Sequence, residues 1–164
     1  MSFRKESMRI GGERIDHDRV IEVFNPYTGA CVGSVPKATV ADVARAFAIA
    51  KAYQPRLSRF ERYRILGRAA ELVVARTEEI SDLITAESGL CKKDSRYEVG
   101  RVRDVLIFGA HAALEDDGQI FSCDITPHGR QRRVYTQRDP LLGAISAITP
   151  FNHPMNQVAH KIVP

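Results

Sequence analysis

The feature that most constrains this chain is a nearly continuous apolar run, LLGAISAIT, over residues 141–149. Such a run, closed by Pro150, predicts a β-strand covered on both faces, as in a parallel sheet flanked by helices. A doubly wound sheet requires several β–α alternations, and this is the one convincing strand of that kind among the 164 residues. We therefore expect the front part of a longer α/β protein, whose sheet begins near Pro164.

Composition and charge exclude several classes of protein. Apolar residues make up 44% and charged residues 27% of the chain, as in a typical soluble globular protein. No stretch approaches the roughly 18 apolar residues of a membrane helix, and the N-terminus lacks an apolar signal core. We therefore predict a cytoplasmic protein without a membrane partner. The net charge is +4, but the basic residues are spread over amphipathic helices, which favours a solvated surface over a nucleic-acid interface.

The cysteines and histidines do not form a metal-ligand pattern. Cys31, Cys91 and Cys123 are odd in number and show no CxxC spacing, which is typical of a reduced protein and not of a zinc or disulfide scaffold. We interpret each as a small core residue and not as a nucleophile. His111 and Glu115 lie four positions apart without a third ligand, which indicates a surface pair. No metal site is predicted.

Turn and helix patterns organise the rest of the chain. A hairpin is predicted at Gly11-Gly12 and a second pair of strands around the NPYTG turn of residues 25–29. Helices are predicted between Pro55 and Pro127, one ending at Gly89 and the next at Gly118. Three capping boxes predict helix starts. They are Thr39 with Asp42, Ser58 with Glu61, and Ser95 with Glu98.

Polar residues follow the apolar run where the predicted strand ends. Ligands in open α/β sheets bind outside the carboxyl ends of the strands. Pro150 and Pro154 restrict the connection, and Pro154 suits the first position of a helix. Asn152 then offers an uncharged amide donor on a fixed corner, which is the chemistry of an oxyanion hole. The spacing also fits a helix cap at Asn152, and both interpretations remain open at this point.

The whole chain resembles the N-terminal part of the aldehyde dehydrogenase superfamily. The resemblance rests on the NPYTG turn, the RFERYRILGRAAEL helix, the AESG helix end and, above all, AISAITPFNHP. It implies an α/β fold with a β-hairpin arm, a helical layer and the start of a doubly wound parallel sheet. The implied domains are 1–119, the N-terminal part of the dinucleotide-binding domain; 120–140, an oligomerisation arm; and 141–164, the first core strand and helix start of the dinucleotide-binding domain.

The resemblance also implies roles for individual residues. In this family the asparagine of the motif helps to form the oxyanion hole for the thiohemiacetal and thioester intermediates, which assigns that catalytic role to Asn152. Ile148, Thr149, Pro150 and Phe151 match positions that line the cofactor site, where the family more often has tryptophan in place of Phe151. The implied cofactor is NAD, with NADP as the alternative. The nucleophilic cysteine and general-base glutamate are expected beyond residue 164, so these residues alone are expected to be inactive.

Two further residues bear on the substrate. His153 matches a position that faces the substrate tunnel in relatives. An arginine on the helix after Ser95 contacts the anionic end in relatives that oxidise carboxylate- or phosphate-bearing aldehydes, and the match favours Arg101. Arg103 lies about 200° further round the helix, so only one of the two can point inward. The implied substrate is a small anionic aldehyde, most like phosphonoacetaldehyde, with succinate semialdehyde and glyceraldehyde 3-phosphate as alternatives.

Other interpretations remain. A dehydrogenase that passes the acyl group to coenzyme A shares the N-terminal pattern, and a non-catalytic docking module could use the same helical layer. The segment from Ile120 to Asp139 is polar, alternating and rich in arginine, which is typical of an edge strand. The resemblance implies that it joins a neighbouring subunit, giving a homodimer or homotetramer.

Overall fold

The computed structural model describes residues 3–115, 118–137 and 143–164. Within these ranges, the chain forms three small sheets and five helices. The strands are β1 (Arg4–Lys5), β2 (Met8–Ile10), β3 (Glu13–Ile15), β4 (Val20–Phe24), β5 (Cys31–Pro36), β6 (Gln119–Ser122) and β7 (Arg133–Thr136). The helices are α1 (Val40–Ala52), α2 (Arg59–Ala75), α3 (Thr77–Ser88), α4 (Lys92–Ala112) and α5 (Asn156–Ile162).

The N-terminal β structure follows the turn residues. Strands β2 and β3 pair antiparallel around Gly11 and Gly12, whose φ values of 60° and 87° lie in the left-handed region that glycine adopts without strain. The predicted hairpin is therefore confirmed. Strand β5 lies between β1, which runs parallel to it, and β4, which runs antiparallel. The turn between β4 and β5 is held by Asn25, whose side-chain oxygen accepts hydrogen bonds from the N–H groups of Tyr27 and Thr28.

Two of the three predicted capping boxes form. The side chains of Thr39 and Ser58 accept hydrogen bonds from the N–H groups of Asp42 and Glu61, and each acidic side chain bonds back to the cap. The hydrogen bonds from the Thr39 hydroxyl and N–H lower the pKa of Asp42 to about 2. Helices α1 and α2 therefore begin where the sequence predicts.

The third capping box is a wrong prediction. Helix α4 begins earlier, at Lys92, after an N-cap residue, Cys91, that makes no side-chain cap bond. Ser95 and Glu98 lie inside the helix, on its buried face. Because α3 and α5 pack against that face, the two side chains find partners on those elements instead of at the end of their own helix.

The long helix predicted to end at Gly89 is divided in two. Arg76, with φ −109° and ψ 19°, separates α2 from α3. The Thr77 hydroxyl bonds back to the Val74 carbonyl at 2.8 Å, a local hydrogen bond of the kind that competes with helix continuity. Gly89 ends α3 with φ 77°, as predicted. Gly118 does not end α4, which stops at Ala112.

Helix α4 is the central element of the helical layer. It packs against α2, α3 and α5. The main buried cluster joins α2, α4 and α5 through Ala70, Val102, Leu106 and Ala159. Among the helices of the described ranges, each is too short or too polar to cross a membrane.

The strand predicted over residues 141–149 is not formed where the structure describes it. Residues 141 and 142 lie outside the described ranges, and residues 143–149 are assigned to no strand. Ile148 is 85% exposed, so the run is not covered as expected. A parallel strand needs a neighbour to complete its hydrogen bonds, and each described strand pairs elsewhere.

Strands β6 and β7 form a separate antiparallel pair. Gln119 lies opposite Thr136, and Ile120 opposite Tyr135. All the residues of both strands are exposed. The β structure predicted for this segment is confirmed, while its role in subunit contact and the proposed domain boundaries stay predictions.

Two glycines on α4 provide a test of the packing against α5. A side chain at Gly109 would collide with the Cγ1 atom of Val163, which follows α5, whereas a Cβ at Gly100 meets no atom within 4 Å. We expect Gly109→Ala to lower the free energy of unfolding by about 1–3 kcal/mol through overpacking. Gly100→Ala should raise it by about 0.5–1 kcal/mol, because alanine is the better helix former. Urea-induced unfolding measures both, and equal effects would contradict the close packing of Val163 on α4.

Candidate active site

The turn before α5 carries the predicted catalytic residue. Helix α5 begins at Asn156, with Met155 as its N-cap and no side-chain cap bond of its own. Asn152 lies four positions before the first helical residue, so it does not cap the helix. Pro154 also precedes the N-cap, and its predicted place at the first helical position is wrong. The structure thereby removes the alternative interpretation of Asn152 as a helix cap.

A carboxylate from another helix caps α5 instead. The Oε1 atom of Glu98 accepts hydrogen bonds from the N–H groups of Met155, at 2.8 Å, and Asn156, at 2.9 Å. Glu98 is only 1% exposed. A negative charge is favourable at a helix N-terminus, and hydrogen bonds to an ionised acceptor are stronger than neutral ones. These contacts tie the turn to the middle of α4.

His153 faces the same carboxylate. Its Nδ1 atom lies 3.5 Å from Glu98 Oε2, a separation suited to an ion pair when the imidazole is protonated but long for a good hydrogen bond. Glu98 Oε2 is otherwise without a hydrogen-bond partner among the described residues. One buried carboxyl group is therefore next to three residues of the turn and helix start: His153, Met155 and Asn156.

Asn152 itself lies on a cleft of about 480 Å³, a volume in the range of small-molecule sites. The end of β4 and the end of α3 form the other walls. The lining residues are Val23, Pro26, Glu87, Ser88, Leu90, Phe151, Asn152 and Pro154. Among the described residues, none forms a hydrogen bond with the Asn152 side chain, so its amide N–H groups are available to a ligand.

Three sequence motifs meet at this cleft. Pro26 belongs to NPYTG, Glu87 and Ser88 to AESG, and Phe151 and Asn152 to ITPFN. Their meeting depends on a close approach at Gly89, where an added Cβ would lie 2.8 Å from the Pro26 ring. Segments that are far apart in sequence thus build one site.

Glu87 places a carboxyl group at the cleft. Its pKa is raised, first by burial and then by the negative charge of Glu98. Burial favours the neutral form of an acid because the charged form loses hydration. The cleft therefore combines an amide donor, Asn152, with an acid whose proton is held more tightly than usual.

The predicted anion-binding arginines lie elsewhere on α4. Arg101 is exposed, with its Cζ atom 5.9 Å from the centre of the Tyr97 ring. Arg103 bonds to Asp104 at 2.9 Å and lines a groove between α2 and α4. Neither is among the described residues that line the Asn152 cleft. The structure brings His153 and Asn152 together but does not bring Arg101 to them.

The predicted cofactor wall is largely exposed. Ile148 and Phe151 are 85% and 90% exposed, and Pro150 is exposed while Thr149 is partly covered. Large exposed apolar side chains are typical of a surface that a ligand or another part of a protein covers. Within the described ranges, no group of three or more His, Cys, Asp or Glu side chains could hold a metal ion.

Glu98 is a site residue that the sequence motifs do not indicate. Ser95 precedes it by three positions, so its spacing predicts a capping box. A second feature of the sequence could have identified it. Val99, Val102 and Leu106 continue the same helix face and are buried, so a charged residue on that face requires a partner from another element.

The family model of the aldehyde dehydrogenase family matches residues 14–164. Because this match covers most of the chain, the chain belongs to the aldehyde dehydrogenase family. Aldehyde dehydrogenase 21 from Physcomitrella patens, in complex with the reaction product succinate, superposes with a TM-score of 0.93 and 29% identity over 99% of this chain and 34% of that one. The expected fold, the N-terminal part of the aldehyde dehydrogenase fold, is thereby confirmed.

Other relatives carry different substrate names. NADP-dependent glyceraldehyde-3-phosphate dehydrogenase from Bacillus halodurans C-125, complexed with NADP, has a TM-score of 0.87 and 30% identity over 98% of this chain and 35% of that one. The 3-sulfolactaldehyde dehydrogenase of Priestia megaterium is 34% identical over 98% of this chain and 34% of its own length. The lactaldehyde dehydrogenase of Methanococcus aeolicus is 36% identical over 96% and 33%. The chain thus spans about a third of the length of these relatives.

Proposed function

We propose that this chain supplies the asparagine half of the oxyanion hole of an NAD(P)-dependent aldehyde dehydrogenase that oxidises a small anionic aldehyde to the acid. The observation that carries the proposal is the cleft where three distant motifs meet and where Asn152 presents an amide without a described partner. A cysteine expected beyond residue 164 would attack the aldehyde carbon. The thiohemiacetal oxygen then carries the developing charge.

Asn152 suits this oxyanion for two physical reasons. Its amide N–H donors carry no titratable charge, so they remain donors at every working pH. The preceding and following prolines limit the backbone of the turn, and Glu98 holds the start of the next helix. A donor that is already in place stabilises the charge without reorganisation during the reaction.

The exposed surface beside Asn152 fits a nicotinamide cofactor. Phe151 offers exposed apolar area at the cleft, and Ile148, three positions earlier, is also exposed. An aromatic or aliphatic wall suits the face of a planar ring. When bound, the cofactor would accept the hydride from the aldehyde carbon. The relative from Bacillus halodurans was solved with NADP, which supports a nicotinamide dinucleotide; we propose NAD, with NADP as the alternative. Thr149 and Pro150 would extend the same wall.

The proposed substrate class is a small aldehyde with an anionic far end. The names of three relatives include a sulfonate, a phosphate and a succinate product, and phosphonoacetaldehyde, proposed from the sequence, belongs to the same chemical class. The lactaldehyde relative names an uncharged alternative. Arg101 stays the proposed contact for the anionic end, because Arg103 is already paired with Asp104; Arg101 does not line the Asn152 cleft, so this contact would be made outside it.

The oxyanion role is tested by Asn152→Ala in the complete gene product. We expect kcat to fall about 10²- to 10³-fold, as on loss of one oxyanion donor, while the KM of the cofactor changes little. Stopped-flow and steady-state absorbance of the reduced cofactor measure both. An unchanged kcat in a folded variant would contradict the oxyanion role.

The substrate class is tested by Arg101→Ala, with Arg103→Ala as the matched control on the same helix. Loss of a charge-assisted contact should lower kcat/KM for an anionic aldehyde about ten- to a hundredfold. Activity on an uncharged aldehyde of similar length should hardly change. His153→Ala should show a smaller loss of the same sign. Equal losses on both aldehydes, or a larger loss for Arg103→Ala, would sink the assignment to Arg101.

The β6–β7 pair supports the further proposal of a homodimer or homotetramer. Its outer edges have unpaired backbone groups in the described ranges, and Ile120 and Tyr135 are exposed next to each other. An open edge with exposed apolar residues favours pairing with a second copy.

This assembly is tested by placing charges on the arm. Ile120→Asp combined with Tyr135→Asp should shift the complete gene product towards the monomer in sedimentation velocity at micromolar concentration. Val40→Asp, an exposed apolar position on α1, is the control and should leave the assembly unchanged. A parent protein that sediments as a monomer would contradict the proposal.

A further inference from the structure

We infer that Glu98 is a positioning residue for the reaction, which fixes the orientation of Asn152 through the backbone of the turn before α5. The inference rests on the proposed oxyanion role of Asn152 and adds to it the element that holds that residue in place. Glu98 would touch neither substrate nor cofactor. It would act through Met155 and Asn156, three and four positions after Asn152.

Hydrogen bonds connect α4 to the end of the turn. Glu98 Oε1 accepts two hydrogen bonds at once, from Met155 N–H and Asn156 N–H. These contacts join residues 57 and 58 positions apart, so they fix tertiary structure and not local structure. Because α4 packs against α2, α3 and α5, the carboxylate projects from the most supported helix of the layer.

The turn has few other attachments. Pro150 and Pro154 lack an N–H group and cannot donate a backbone hydrogen bond. Within the described ranges, the backbone of residues 150–154 makes one backbone contact outside the turn, from Gln157 N–H to the His153 carbonyl, and that contact belongs to the start of α5. Within the described ranges, the hydrogen bonds that tie the turn and the start of α5 to another element are those to Glu98, and apolar packing of Met155 and Ala159 adds to them.

The charge on Glu98 has a second contact. Oε2 lies 3.5 Å from His153 Nδ1, so the carboxylate also favours one orientation of the imidazole that follows Asn152. Glu87 is the other titratable group near this carboxylate, and its raised pKa is caused in part by the Glu98 charge. We expect the position of the Glu98 oxygen to affect Asn152 through the backbone, and the charge of Glu98 to have a smaller effect, through the His153 ring.

Substitutions can separate position from charge. Glu98→Ala removes the acceptor, and Glu98→Asp draws it back by one methylene. Glu98→Gln keeps an oxygen acceptor at the same reach and removes the charge. We expect kcat of the complete gene product to fall about ten- to a hundredfold for the alanine and aspartate variants, because a misplacement of about 1 Å can cost up to about a hundredfold in rate. Glu98→Gln should retain kcat within about fivefold, and the cofactor KM should change little in all three.

Ser95→Ala is the matched control. Ser95 is one turn earlier on α4, is 0% exposed and is hydrogen-bonded to Thr85 of α3 at 2.8 Å. Its loss removes a buried polar contact of the same helix without touching the turn. We expect kcat to stay within about twofold. A loss equal to that of Glu98→Ala would show that both residues only support the fold, and would overturn the inference.

A double-mutant cycle gives the decisive measurement. If Glu98 acts through Asn152, Glu98→Ala should lower kcat less than about threefold in an Asn152→Ala background. Full additivity of the two losses would overturn the inference while the oxyanion role of Asn152 stands. An unchanged kcat for Asn152→Ala alone would overturn the proposed function and the positioning role with it. If Glu98→Ala does not fold, the same cycle with Glu98→Asp tests whether Glu98 acts through Asn152.

Discussion

The arrangement of the site depends on one buried carboxylate, because Glu98 connects the central helix to the turn that carries Asn152. A buried carboxylate is costly unless hydrogen bonds and nearby positive charge compensate its lost hydration. Two backbone donors at a helix N-terminus provide that compensation here. The same contacts that make the buried charge tolerable also determine where the turn lies.

Polar contacts also join α4, the helix that carries Glu98, to α3. The Thr85 and Ser95 hydroxyls are hydrogen-bonded across these helices at 2.8 Å. Near the start of α4, Arg96 Nε donates to Glu78 at 2.9 Å, which lowers the pKa of that carboxyl. The Arg96 pair is exposed and contributes little free energy, but the Thr85–Ser95 contact is buried and would be costly to leave unmade.

The sequence predicted the local structure well where short-range chemistry determines it. The glycine hairpin, the Asn25 turn, the caps at Thr39 and Ser58, and the end of α3 at Gly89 all depend on groups within a few residues of one another. The corner predicted for Asn152 likewise lies just before a helix, α5. The errors arose where a partner lay far along the chain. Glu98 satisfied a local capping pattern by spacing, yet its donors follow 57 and 58 positions later.

The apolar run of residues 143–149 is a second case in which a distant partner decides the structure. Its composition predicts a covered strand, but composition specifies burial without specifying the neighbour that produces it. The turn that carries Asn152 does not depend on this strand. Hydrogen bonds to Glu98 of α4 hold the end of the turn instead. A rotation of α4 by one residue would move Glu98 by about 100° around the helix axis and remove both donors from reach. Through its two hydrogen bonds, Glu98 therefore couples the position of α4 to the turn that carries the Asn152 amide.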